Sequence, residues 1–235
     1  MKIEKADWDS DFFKLKVGRY SFSDLSDWDW AVITEWDLVY IYVDPTNRIA
    51  NDFLNRANVF LADEKVTFLM SLSKQRSDLT DTPRVRAYFS SEDDIRLMEL
   101  GVQSGVYSRF KLDGCFTSGK FEELYKKWIF RSVQREIAEE VFVSEKDGQI
   151  AGVITLSEKN SRMDIGILSV DDKFRGKGIG KELIVAGIKY AIDRNFRELQ
   201  VVTQLANHKA CRFYEACGFV LEQTTNIYHF WRKLK

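Results

Sequence analysis

At 235 residues the chain has room for one or two domains of roughly 100–200 residues each. Its 45% hydrophobic and 14% aromatic content supports a packed core. Charged residues make up 30% and the net charge is −1, an ordinary soluble surface with no basic excess for nucleic acid. No apolar run approaches the roughly 18 residues of a membrane span, and Met1–Asp7 lacks the apolar stretch of a signal peptide. Three cysteines, an odd number, fit a reducing compartment, so the expected location is cytoplasmic. The two histidines and these cysteines make no convincing metal cluster, and no metal is expected.

In chain order, strands are expected near Gly18–Phe22, Leu38–Val43 and Val66–Leu72, with helices near Ser26–Glu35 and Pro45–Ala57. Pro45 suits a first helical turn, with Asp44 as its cap. Ser73–Pro83 is polar and ends in proline, which reads as a linker or long loop. Beyond it come a strand at Arg84–Tyr88 and a helix from Ser90 to about Leu100, its acidic first turn complementing the dipole. Phe121–Glu139 reads as an amphipathic helix. Val141–Ser144 and Ile150–Glu158 read as strands joined by a Lys146-Asp-Gly-Gln turn. Met163–Val170 is a strand, Gly180–Asn195 a helix and Leu199–Gln204 a strand. Phe219–Gln223 and Ile227–Trp231 are expected to close the fold as two further strands. The class is α/β, a mixed sheet with helices.

Between the strand ending at Val170 and the following helix lies Asp171-Asp-Lys-Phe-Arg175-Gly-Lys-Gly178-Ile-Gly180. A helix start has backbone N–H groups without intrahelical partners, and the dipole adds positive potential. Glycines at 176, 178 and 180 allow positive φ and close approach of a ligand. Arg175, Lys177 and Lys181 add cationic charge, so a pyrophosphate is expected there. The spacing is neither that of a P-loop nor the Gly-x-Gly-x-x-Gly of a dinucleotide fold.

Arg175-x-x-Gly178-x-Gly180 resembles the acetyl-CoA pyrophosphate loop of the GNAT acyltransferases. The later run Asn207-His-Lys-Ala-Cys-Arg-Phe213-Tyr214-Glu-Ala-Cys-Gly218-Phe219 resembles that superfamily's second signature. Trp8-Asp-Ser-Asp-Phe-Phe13, Asp63–Phe68, Ser108-Arg109-Phe110 with Asp113, and Leu124-Tyr125-x-x-Trp128-Ile129 resemble, in order, segments of bacterial nucleotide-sugar N-acetyltransferases, the dTDP-fucosamine acetyltransferase family. Gly114-Cys-Phe116 departs from that family, where a proline often follows the aspartate.

The resemblance implies a GNAT fold with a truncated GNAT-like N-terminal, acceptor-side domain over 1–80 and an acetyl-CoA-binding catalytic domain over 81–235. It implies acetyl-CoA as co-substrate and a nucleotide-linked 4-amino-4,6-dideoxyhexose as acceptor. A protein N-terminus, polyamine or other small amine is the alternative acceptor, and an acyl-CoA-binding module the non-enzymatic alternative. Separately, the aromatics Tyr228, Phe230 and Trp231 are expected either to complete a sheet across a homodimer or to close the core.

By the same resemblance, Arg175, Gly176, Lys177, Gly178, Ile179 and Gly180 hold the pyrophosphate. Leu168, Ser169 and Val170 line the pantetheine arm, with an N–H near Leu168 for the thioester oxygen. Asn207 bonds the arm, caps its helix, or does both, and Phe213 belongs to the same coenzyme-binding set. Tyr214 is the general acid and Asp63 the base, with Glu158 as the other candidate base. Arg109 pairs with the nucleotide diphosphate. Phe110, Trp8 or Trp128 stack on the acceptor, or belong to the core.

Overall fold

The computed structural model describes residues 1–73, 82–89 and 94–232. The chain order is β1 (Glu4–Lys5), α1 (Asp7–Phe13), β2 (Val17–Ser21), α2 (Trp30–Ile33), β3 (Leu38–Val43), α3 (Arg48–Arg56), β4 (Phe60–Ser71), β5 (Val85–Ala87), α4 (Asp94–Ser104), α5 (Arg109–Leu112), α6 (Lys120–Val133), β6 (Glu140–Lys146), β7 (Gln149–Lys159), β8 (Arg162–Val170), α7 (Ile179–Asp193), β9 (Glu198–Gln204), α8 (His208–Ala216) and β10 (Val220–Trp231). The strands form one mixed sheet in the order β1-β2-β3-β10-β4-β9-β8-β7-β6-β5. The last strand is thus inserted between two N-terminal ones, and it ties the first seventy residues to the rest through backbone pairing.

Each face of the sheet carries its own apolar layer, as period-two side-chain alternation requires. On one face α7 and α8 cover a core of Val66, Phe68, Met163, Ile165, Leu183, Val201, Tyr214 and Phe219. On the other, α4 and α6 cover Val141, Val143, Val153 and Ile167. Near the N-terminal strands, α3 covers Val39, Ile41 and Tyr228 on the first face, while Tyr40, Ile227 and Trp231 pack under Phe110 and Phe116 on the second. Between the helices of this second face the central strands are only partly covered. Val202, on β9, is 38% exposed there.

Several expected elements change shape. The helix expected at Ser26–Glu35 is a 3-10 turn at Leu25–Asp27 followed by α2, because Asp24 and Asp29 each bond a backbone N–H two residues on. The α3 cap is Asn47, whose side chain accepts from Ala50 N–H at 3.0 Å. Asp44 instead closes a turn on Thr46. The α6 helix stops at Val133, not Glu139: Arg135 is left-handed (φ 61°) and Glu136 N–H returns to Arg131 O at 3.0 Å. No glycine marks that stop. β4 begins at Phe60, earlier than its apolar run, and Phe219–Trp231 yields one bulged strand. Tyr228 is buried under α3, so the chain end presents no exposed row of three aromatics. Residues 74–81 and 90–93, which hold most of the expected linker, the expected boundary at 81 and the start of the expected helix at Ser90, lie outside the described residues.

Candidate functional site

The site begins with a β-bulge. Across the β7–β8 pair, Thr155 faces Ile167 and Leu156 faces Ile165, so Gly166 is one residue too many. Ile167 N–H donates to the Thr155 hydroxyl at 2.9 Å, where an uninterrupted ladder would use a carbonyl. A Cβ on residue 166 would stand 2.9 Å from that same oxygen, which favours glycine here. The bulge bends β8, and its parallel pairing with β9 ends one residue earlier, at Ile165–Val201. Beyond that point β8 pairs only with β7, and β9 only with β4. The two central strands splay apart.

The backbone lining this gap follows from register. Asp171 N–H donates to Ala151 O at 2.9 Å, so hydrogen-bonded pairs with β7 fall at 171 and 169. The N–H and C=O of Leu168 and Val170 therefore point into the gap. The Val170 carbonyl accepts from Arg175 Nε at 3.0 Å, and Arg175 also pairs with Asp172 at 2.5 Å. The Arg175 side chain thus braces the loop start.

At the gap's mouth the chain makes its cradle. Gly176 and Gly178 have φ of 75° and 81°, values that disfavour a side chain. The first intrahelical bond of α7 runs from Glu182 N–H to Gly178 O at 3.1 Å, and no side chain caps the helix. The amides of Ile179, Gly180 and Lys181 are left facing outward. Gly180 lies under the Phe213 ring, 3.0 Å from where a Cβ would be, so α8 abuts the cradle. Arg84, on the neighbouring edge, donates to Glu182 at 2.9 Å and to the Lys177 carbonyl at 3.4 Å. This fits a diphosphate: an uncapped helix start, two left-handed glycines and the side chains of Arg175 and Lys177 nearby.

Tyr214 and Asp63 lie on opposite faces of the sheet. Tyr214 is buried beside Phe68 and Phe219, and burial, then the Cys217 and Cys211 thiols, drives its phenol well above the usual range. Asn207 accepts from Ala210 N–H at 3.2 Å as the α8 cap. Asp63 stands at the splayed end of β4, on the face of α5 and α6. Burial pushes its carboxyl up to about 6, against the opposing pull of Arg109, Lys65 and the Gln204 side chain. Lys65 is also half-buried, and burial lowers its ammonium. Arg109 lies over the rings of Tyr40 and Phe110, at 4.4 and 4.8 Å, with its Nε buried and unpartnered. Phe110 packs with Phe13 and Phe116. Trp128 sits between two apolar clusters and reaches toward Gly166. Trp8, 37% exposed, stacks on Phe12 at 5.1 Å. Glu158 is exposed at the far end of β7, the opposite end of the sheet from Leu168–Val170.

Residues 109–219 match the model of the acetyltransferase (GNAT) family. This segment is a GNAT acetyltransferase domain. The domain's relatives include the spore coat polysaccharide biosynthesis protein SpsD of Bacillus subtilis, 26% identical over 59% of this chain and 48% of that protein. They also include dTDP-fucosamine acetyltransferase of Escherichia coli, 26% identical over 94% of this chain and 95% of that one. The chain spans about half the length of the first curated relatives it matches. A GCN5-related N-acetyltransferase from Sphaerobacter thermophilus shares the fold, with a TM-score of 0.58, 16% identity and coverage of 84% of this chain and 60% of that one. The mixed α/β fold is that of the GNAT enzymes. Among the described residues no helix is long and apolar enough to cross a membrane.

Sequence reasoning passed over Arg84, the Gly166 bulge, Gln204 and Lys65. The glycine was a usable signal, being a lone glycine inside an otherwise apolar strand. The others carry no local pattern.

Proposed function

We propose that the chain transfers acetyl from acetyl-CoA to the amine of a nucleotide-linked amino sugar of the 4-amino-4,6-dideoxyhexose type. In this reading residues 81–235 bind the coenzyme and catalyse, and residues 1–80 complete the acceptor side. One observation carries the proposal. A single gap through the sheet has an amide cradle at its mouth, and at its open end a carboxyl tuned to about 6 beside the Arg109 cation.

Acetyl-CoA supplies an activated acyl thioester. The amides of residues 176–181 hold its diphosphate. The Asn207 carboxamide caps α8 through its oxygen and keeps its N–H₂ for the pantetheine arm. The Leu168 N–H holds the thioester oxygen, where developing negative charge strengthens the bond. Asp63, ionised above about pH 6, takes one proton of the acceptor ammonium, directly or through water. The amine then forms the C–N bond to the acetyl carbon, the C–S bond breaks, and the second nitrogen proton leaves through water to restore the Tyr214 phenol. Tyr214 stays protonated at working pH and donates toward the departing sulfur. Its raised pKa opposes that step, but the same burial raises the proton affinity of the thiolate. Base and acid lie on opposite faces of the sheet, and burial keeps the phenol protonated while leaving the carboxyl ionised above about pH 6.

Arg109 favours an anionic acceptor over a polyamine. The supporting relatives are the dTDP-fucosamine acetyltransferase and the polysaccharide biosynthesis protein. Acetyl-CoA consumption with dTDP- and UDP-linked amino sugars, polyamines and peptide N-termini tests the reading. Turnover confined to the nucleotide sugars is expected. Turnover only with peptides or polyamines would replace the acceptor, and binding of acetyl-CoA without any turnover would reduce the chain to a binding module.

A further inference from the structure

Asp113 follows Arg109 by one helical turn, the spacing at which an arginine and an aspartate ordinarily pair on a helix. Here they do not. One Asp113 oxygen lies 2.6 Å from His229 Nδ1 and accepts from Trp231 Nε1 at 2.8 Å, while the other accepts from Cys115 N–H at 2.9 Å. Both residues of the pair are buried, with 4% of Asp113 and 1% of His229 exposed. Burial works to raise the Asp113 carboxyl, but the bonds from His229, Cys115 and Trp231 outweigh it and hold it low. Burial likewise pushes His229 down to about 4. The imidazole is therefore neutral, with its Nδ1–H donated to a carboxylate, and its Nε2 is buried without a partner.

The Tyr40 ring joins the two halves of this arrangement. The Arg109 guanidinium lies 4.4 Å from its centre and the His229 ring 4.9 Å. Tyr40 in turn donates to Asp9 at 3.2 Å, and Asp9 pairs with Arg19 at 3.0 Å. Phe116 closes the cluster against both His229 and Trp231.

We infer that His229 and Trp231 form a clamp that withholds Asp113 from Arg109, so that the guanidinium, already facing Asp63, is not neutralised by a second carboxylate and can meet an anionic group on the acceptor. These are positioning residues: they act on Arg109 and touch no reacting atom. The inference rests on the proposed role of Arg109 as acceptor anchor. It also gives the insertion of β10 beside β3 a function, because that pairing brings His229 level with Tyr40.

The test uses His229→Phe and the milder Trp231→Phe, with a dTDP-linked 4-amino-4,6-dideoxyhexose as acceptor. The acceptor KM is expected to rise about tenfold, the lower end of the worth of one hydrogen bond to a charged group, with kcat and acetyl-CoA affinity unchanged. Adding Asp113→Asn to either variant removes the competing charge and is expected to restore the KM. A crystal structure of either variant should show Arg109 turned onto Asp113 whether or not that acceptor is a substrate. Failure of the wild-type protein to use the nucleotide sugar would count against the proposed acceptor, and the crystal structure would still decide the clamp. Arg109 unmoved over Tyr40 would overturn it, as would a parallel fall in kcat or an unrestored KM. If His229→Phe does not fold, Trp231→Phe carries every readout.

Discussion

The proposed coenzyme side and the proposed acceptor side of this sheet are built by different means. The cradle is backbone: residues 170–182, contiguous in sequence, offer amides set by two left-handed glycines and a helix start. The proposed acceptor side is side chains gathered from residues 40, 63, 109, 113, 204 and 229 across five separate elements. A backbone site tolerates changes in side chains that do not intrude on it. A side-chain site depends on every strand that carries a member. Substitutions on the two sides should therefore fail differently, one in coenzyme affinity and the other in turnover or acceptor affinity.

The largest expected effect joins the two sides. Tyr214→Phe should lower kcat by about 10²–10⁴-fold, the range of a lost general acid, while acetyl-CoA affinity is retained. Calorimetric titration beside steady-state assays separates the two quantities, and unchanged turnover would remove Tyr214 from the chemistry. Next in size is Asp63→Asn. A base must be ionised, so kcat/KM of the unaltered protein should climb as pH rises through about 6 and level above it. The variant should lose that limb and about 10²-fold of the plateau. An acid limb that survives intact would move the base elsewhere.

The same contrast explains how much was legible in the sequence. The two left-handed glycines of the cradle and the Asn207 cap were readable because each is a short-range pattern with a local cause. The strands of the central sheet were readable because apolar runs of that length have few other uses. Asp113 was noticed only as part of a motif, and His229 only as a poor metal ligand. Their pairing spans 116 positions and is decided by where β10 inserts. The helix at Asp7–Phe13 lay under the Trp8 motif but has no capping side chain, so nothing local marked its start. Asp63 stands out only through the family likeness and Lys65 not at all, because tertiary burial alone perturbs them.

Within the cradle, Gly178→Val forces a branched side chain into positive φ, at a cost of about 1–2 kcal/mol in the bound geometry. Acetyl-CoA affinity should fall about tenfold, while the acceptor KM measured at saturating acetyl-CoA should stay put. A change confined to the acceptor would erase the distinction between the two sides.

The smallest effect tests that distinction most closely, because it concerns a side chain on the backbone side. Glu182 sits in the first turn of α7, where a carboxylate suits the helix dipole but opposes a bound diphosphate. Arg84 holds it through a forked contact and reaches on to the Lys177 carbonyl. Arg84→Met should free that charge and raise the KM for acetyl-CoA about three- to fivefold, in line with about 1 kcal/mol for a partly exposed pair. The loss should shrink at high salt, which screens Glu182 from the ligand. Adding Glu182→Gln should restore affinity if Arg84 acts by neutralising the carboxylate. If the double variant stays weak, Arg84 serves the loop through Lys177, and the cradle owes its shape to a side chain after all.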